Sequence, residues 1–260
     1  MSGNVRKVYI DYNATTPLHE EVKKSMAEDF NVFGNASSMH ESGRRARARI
    51  EQARGAVAKL IGAGDGAVIF TSGGSESNNT VFNAMRLLAA EGGRDEFIIS
   101  SIEHPCVMNA ALSMQKAGFK LAILPVDEYG KLKMEELEKA LGNKTLLVSI
   151  MAANNEIGTL QDVKRIAALV KKAGAFMHTD AVQAVGKIPV NAQDWGVDYL
   201  TLSAHKIYGP KGAGALYVKK DAPLSPLIHG GHQEDGLRAG TYNNGGILGF
   251  GKAAEIASSG

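Results

Sequence analysis

The chain has 260 residues, 44% of them hydrophobic, and a formal net charge of +2. That length buries the core of one large domain, or of one domain plus a fragment, and the nearly balanced charge argues against dependence on nucleic acid or on acidic membranes. The single cysteine, Cys106, permits no internal disulfide and suits a reducing cytoplasm. Arg6 and Lys7 precede only the short apolar run Val8-Tyr-Ile10, which argues against a signal peptide, and no apolar stretch is long enough to span a bilayer. The expectation is a soluble cytoplasmic protein with no nucleic-acid or membrane partner. Thirty glycines suit an α/β fold with many tight turns between strands and helices.

In chain order, Arg44-Arg-Ala-Arg-Ala-Arg49 is a basic run on a predicted helix, read as a solvated face. Val68-Ile-Phe-Thr71 reads as a buried strand, followed by a helix from about Asn79 to Ala90. Phe97–Ser100 is the next strand, then a helix from Cys106 to Ala117, a strand over Leu121–Leu124 and a short helix over Met134–Leu141. Leu146–Ile150 leads through a loop to an amphipathic helix, Val163–Ala173. Ala175–Thr179, Tyr199–Leu202 and Ala213–Val218 are further strands, and Ile247–Ile256 a last helix. Short apolar strands separated by helices imply a mainly parallel sheet with helices on both faces. Ligands of such sheets gather at the carboxyl ends of the strands.

Polar residues concentrate at those ends. The turn Thr71-Ser-Gly-Gly-Ser-Glu-Ser-Asn-Asn79 enters a helix with free N–H groups and hydroxyls, which either cap the helix or cradle a phosphate. It carries neither a P-loop lysine nor a Gly-x-Gly-x-x-Gly pattern. His104, in Ser101-Ile-Glu-His-Pro105, is a core histidine or a flat ring placed to stack on an aromatic ligand. Asn154-Asn-Glu-Ile-Gly158 offers side-chain amides. Asp180 follows a strand, as a helix N-cap or as the anion that keeps a pyridine nitrogen protonated, with Gln183 three residues on. Tyr199-Leu-Thr-Leu-Ser-Ala-His-Lys206 then delivers Ser203, His205 and Lys206 to a strand end, where Ile207-Tyr-Gly-Pro-Lys-Gly212 forces a turn. A partly desolvated lysine has a lowered pKa and frees its amine to attack an aldehyde. Imine former, pyridine partner, ring stacker and phosphate cradle make a specific combination for pyridoxal phosphate.

Taken with Tyr9-Ile-Asp-Tyr-Asn-Ala-Thr-Thr-Pro17, Phe33-Gly-Asn-Ala-Ser-Ser38, Phe70-Thr-Ser-Gly73 with Glu76, His178-Thr-Asp180 and Arg238-Ala-Gly-Thr241, these motifs resemble the cysteine desulfurases of the class V aminotransferase group, over almost the whole chain. The resemblance implies the large domain of a fold-type I pyridoxal phosphate enzyme over residues 15–260, after an N-terminal segment of residues 1–14. It implies that Lys206 carries the cofactor as an imine, Asp180 pairs with the pyridine nitrogen, Gln183 contacts the ring hydroxyl and His104 stacks on the ring. Gly74, Ser75, Ser203 and His205 would hold the phosphate, Asn155 would lie beside ring and substrate, and Thr241 would reach the phosphate of a partner subunit in a homodimer. The implied reaction takes sulfur from L-cysteine to an enzyme thiolate, leaving alanine and a persulfide for a sulfur-acceptor scaffold, with Lys206 and His104 as proton carriers.

Two departures stand out. The resemblance implies a smaller C-terminal domain bearing the nucleophilic cysteine and a carboxylate-binding arginine, whereas this sequence stops at Ser258-Ser-Gly260; Gly74 also replaces a small methyl-bearing residue. Cys106, at a helix start where the dipole lowers a thiol pKa, is expected to pack beneath the sheet end and point away from the ring. His229-Gly-Gly-His232 lacks a third ligand, so no metal site is expected. Besides desulfurase chemistry, a selenocysteine or cysteine lyase and a catalytically idle cofactor-binding domain remain as readings.

Overall fold

A computed structural model describes residues 8–31 and 33–259; Arg6, Lys7 and Gly260, with the expectations placed on them, lie outside the described residues. Two helices, α1 (Glu20–Asp29) and α2 (Glu41–Leu60), lead into β1 (Ala67–Thr71). Alternation follows: α3 (Gly74–Ala90), β2 (Glu96–Ser100), α4 (Pro105–Lys116), β3 (Lys120–Leu124), α5 (Met134–Ala140), β4 (Thr145–Ser149), α6 (Val163–Lys172) and β5 (Phe176–Asp180). A single-turn α7 (Ala192–Trp195), β6 (Tyr199–Ser203), a 3-10 turn over Ala204–Lys206, β7 (Gly214–Val218) and α8 (Asn244–Ala257) complete the chain.

The seven strands form one sheet in the order β1-β7-β6-β5-β4-β2-β3. Neighbours from β6 to β3 run parallel, while β7 is antiparallel to both β1 and β6. The sheet is mainly parallel, as expected, and β7 is the antiparallel strand for a topological reason. No helix separates Ser203 from Gly214, so the chain turns back beside β6 instead of crossing over.

Period-two alternation divides the apolar residues between two faces. Phe97, Ile99, Leu147, Tyr199 and Leu216 pack against α3 and α4 through Phe82, Met85, Val107 and Ala111. Ile98, Val148, Met177, Leu200 and Tyr217 face the opposite layer, where Ile50, Val57, Ile166, Val170 and Phe250 come from α2, α6 and α8. The expected helices on both faces are thus present. The carboxyl ends of β2, β4, β5 and β6 share one edge, together with Thr71 of β1 and the start of β7, because Thr71 and Ser203 both pair with Gly214. A Cβ at Gly214 would stand 2.5 Å from Gly73 Cα, so only glycine lets β7 begin against the turn entering α3. No helix of the described residues is long and apolar enough to cross a membrane.

Candidate active site

A cavity of about 570 Å³ opens at this edge, within the range for small-molecule sites. Of the residues singled out in the sequence, Gly74, Ser75, His104, Asn155, Asp180, Gln183, Ser203, His205 and Lys206 line it, and Thr241 does not.

One end of the cavity is the start of α3. The first intrahelical bond runs from Ser77 N to Gly73 O, which leaves the Gly74 and Ser75 N–H groups without helical acceptors at the positive end of the dipole. Glu76 braces the turn by accepting from Ser72 N at 2.8 Å. Arg238 grips both carboxylate oxygens of Glu76, at 2.8 and 3.2 Å. Burial works to raise the Glu76 pKa, but the Arg238 and Ser72 bonds outweigh it and hold the carboxyl below its ordinary value. Gly74 sits close to its neighbours, since a Cβ there would lie 3.0 Å from Val182 Cγ2. Ser203 at the end of β6, His205 and Lys211 face the same turn. Burial, then Lys206 and Lys211, hold His205 below the ordinary imidazole value.

Asp180, last residue of β5, is buried, and both oxygens accept hydrogen bonds: Oδ2 from Asn78 Nδ2 at 2.8 Å, Oδ1 from Val182 N at 3.0 Å. Oδ1 caps a turn rather than the helix expected after this strand, and Oδ2 faces α3. Burial raises the Asp180 pKa, against these two bonds and the nearby His104 and Lys206. Asn78 gave no signal of its own within the Gly/Ser turn. It occupies the first buried face of α3, and its Oδ1 has no hydrogen-bond partner.

His104 caps α4, its Nδ1 accepting from Cys106 N at 3.2 Å. Cys106 corrects the expectation drawn from its position. Its side chain lines the cavity, with Sγ 2.9 Å from His104 Nδ1 and 3.0 Å from Asn78 Nδ2. Cys106 also packs against the apolar layer between the sheet and α3 and α4, as expected, so the departure in placement lies only in its contact with the cavity. The thiol pKa is also raised rather than lowered, because burial and the nearby Asp180 oppose the helix dipole.

Lys206 closes the 3-10 turn after β6, and its Nζ donates to the carbonyls of Asn13 and of Ala14, the latter at 2.9 Å. Burial lowers its pKa, and Asp11 and Asp180 offset part of that. Asn13 O also accepts from Gln183 Nε2 at 2.8 Å, and Gln183 Oε1 accepts from Lys187. Lys187 can only donate, so this contact fixes the Gln183 amide with its N–H end toward Asn13. Residues 11–14 thus form part of the site wall, tied down where Thr16 N and Oγ1 donate to His205 O at 3.0 and 2.9 Å. Their role was not evident from the sequence, which offers only polar residues before a proline.

Asn155 lies at the opposite rim, its Nδ2 donating to Glu156 at 2.6 Å and its carbonyl accepting from Asn13 at 3.1 Å. Beneath it the fully buried Glu103 accepts from Ser100 Oγ at 2.5 Å and Met151 N at 2.9 Å, with Oε2 unpartnered. Burial pushes this carboxyl up to about 8. Thr241 stands exposed in a separate cleft with Ser72, Gly212 and Arg238.

The strand ends thus gather a lysine amine, a buried carboxylate and the start of α3 around one cavity of an α/β sheet. The model of the family described as aminotransferase class-V matches residues 8–260, and the chain belongs to that family. It is 49% identical over 253 residues to a protein of Dictyoglomus turgidum named cysteine desulfurase IscS, covering 97% of this chain and 64% of that one. It is 48% identical over 256 residues to a cysteine desulfurase of Sinorhizobium fredii, covering 97% and 66%. Among solved structures, a NifS-like protein superposes with a TM-score of 0.93 at 42% identity, covering 98% of this chain and 70% of that one. SspA in complex with cysteine gives 0.91 at 38%, covering 96% and 72%. The chain therefore spans about two thirds of the length of the curated relatives it matches.

Proposed function

We propose that this chain binds pyridoxal phosphate and serves removal of sulfur from L-cysteine, giving alanine and a sulfur atom passed to a thiol acceptor. The observation that carries the reading is the convergence of Lys206, Asp180 and the start of α3 on one cavity. The donor set fits the cofactor. A primary amine of lowered pKa suits its aldehyde, a buried carboxylate suits the cation that a protonated pyridine supplies, and free N–H groups suit its phosphate. The relatives named cysteine desulfurase, and a similar structure titled as a complex with cysteine, support the choice of substrate.

In this reading Lys206 would hold the cofactor covalently, Gly74, Ser75, Ser203 and His205 would hold its phosphate, and His104 would lie against its ring. Gln183 donates to the ring hydroxyl through its fixed N–H end, and Asn155 flanks ring and substrate. Pyridoxal phosphate, when bound, supplies an electron sink conjugated to the substrate α-carbon. Asp180 would stabilise a protonated pyridine nitrogen. Lys206 would move a proton at the substrate α-carbon, and His104 would serve a second transfer. Homodimerisation, with Thr241 reaching the partner's phosphate, a scaffold protein as sulfur acceptor, and a cytoplasmic location belong to the same proposal. Incubating the purified chain with pyridoxal phosphate and L-cysteine, and quantifying alanine and sulfide, tests it. Production of pyruvate and ammonia in place of alanine would overturn the desulfurase assignment.

A further inference from the structure

The turn into α3 places a carboxylate where an anion is meant to bind. Glu76 lies two residues from Gly74, and its side chain is only 9% exposed. Its geometry explains its presence, since Oε2 accepts from Ser72 N and holds the turn in shape. Its charge is a liability, because an unpaired carboxylate beside a phosphate repels it. Arg238 removes that charge through two hydrogen bonds.

Arg238 is itself held from behind. Four residues earlier the buried Glu234 accepts from Arg54 at 2.6 and 2.9 Å and from Phe70 N at 3.0 Å, while Arg54 packs over the Phe70 ring. Glu234 and Asp235 adopt left-handed backbone, with φ of 48° and 54°, a conformation that costs non-glycine residues energy and persists only where contacts enforce it. The segment bearing Arg238 is therefore anchored to α2 and β1, independently of any ligand.

We propose that Arg238 is a positioning residue that masks the charge of Glu76, so that the phosphate cradle keeps both its shape and a positive potential. The inference rests on the reading of that cradle as the pyridoxal phosphate site, and it concerns a pair outside the groups that touch the phosphate. It separates two roles of Glu76: the hydrogen bond to Ser72, which glutamine reproduces, and the charge, which only Arg238 cancels.

The test is the dissociation constant of pyridoxal phosphate by spectral titration at low ionic strength, for the wild type, Glu76→Gln, Arg238→Gln and the double variant. Arg238→Gln should bind about three- to tenfold more weakly, Glu76→Gln as tightly as wild type or more so, and the double variant should return to within about twofold of wild type. The loss in Arg238→Gln should shrink in about 0.5 M salt. Arg238→Lys keeps the charge and should bind like wild type, which preserves the test if Arg238→Gln does not fold. Equal weakening by Glu76→Gln and Arg238→Gln without rescue in the double variant, or an Arg238→Lys that binds like Arg238→Gln, would show a purely structural clamp and overturn the mask. A wild-type chain that takes up no pyridoxal phosphate would overturn the site reading as well.

Discussion

Asn78 Nδ2 lies 2.8 Å from Asp180 Oδ2, joining the first buried turn of α3 to the end of β5 across the floor of the cavity. Asp180 is buried and its carboxyl is biased toward the neutral form, so this bond is one of two that favour the anion. Replacing Asn78 by alanine should raise the Asp180 pKa further and weaken its hold on a protonated pyridine. A hydrogen bond to a charged group is worth about 1.5–3 kcal/mol, so cofactor affinity should fall roughly ten- to a hundredfold. Spectral titration with pyridoxal phosphate measures it, and unchanged affinity would remove Asn78 from the site.

Glu103 makes a second prediction, on stability. Its folded pKa of about 8 exceeds the unfolded value of 4.5, so the folded chain holds a proton that the unfolded chain releases. Its contribution is complete below pH 4.5 and is lost as pH rises through 8. His178, buried between Ser149 and Thr201 and pushed down to about 3, acts in the opposite sense between there and its ordinary 6.5. Subtracting a Glu103→Gln profile isolates the first effect. Urea unfolding should show wild-type stability falling relative to the variant between pH 5 and 8, by at most about 1.4 kcal/mol per pH unit. A flat difference would mean that Glu103 is ionised throughout.

The strands were legible to within a residue or two because each is a short apolar run, most of them ending in a polar residue, as at Phe97–Ser100 and Tyr199–Ser203. That Lys206, Asp180 and His104 meet at one cavity was legible because each closes or shortly follows such a strand. Helix α1 was not, since it is mostly charged and buries only Val22 and Asp29. Neither were Asn78 and Asn13, whose neighbours come from residues about a hundred or more positions away. The aim of Cys106 depends on how α4 enters after Pro105, a tertiary property that local spacing does not carry.

Thr241 is exposed, in a cleft apart from the cavity that Lys206 lines, and the proposal gives it a role at a second copy's site. In sedimentation equilibrium the chain should be a dimer, and Thr241→Ala should release pyridoxal phosphate faster on dialysis. A monomer that retains the cofactor tightly would refute a shared site.

Cys106 lines the cavity, yet burial raises its thiol pKa and so disfavours the thiolate, which is the nucleophile. Alanine formation from L-cysteine by these 260 residues should therefore be weak, rise with added dithiol, and change little in Cys106→Ser. Fast turnover without dithiol that disappears in Cys106→Ser would make Cys106 the sulfur acceptor.

Lys206, turned into the cavity by the 3-10 turn after β6, is the amine proposed to hold the cofactor. Borohydride reduction of the pyridoxal phosphate-loaded chain, followed by peptide mapping, tests it most directly. The account expects the reduced adduct on Lys206, and no imine absorbance in Lys206→Ala. A stable adduct on Lys187 or any other lysine, with Lys206 unmodified, would contradict it.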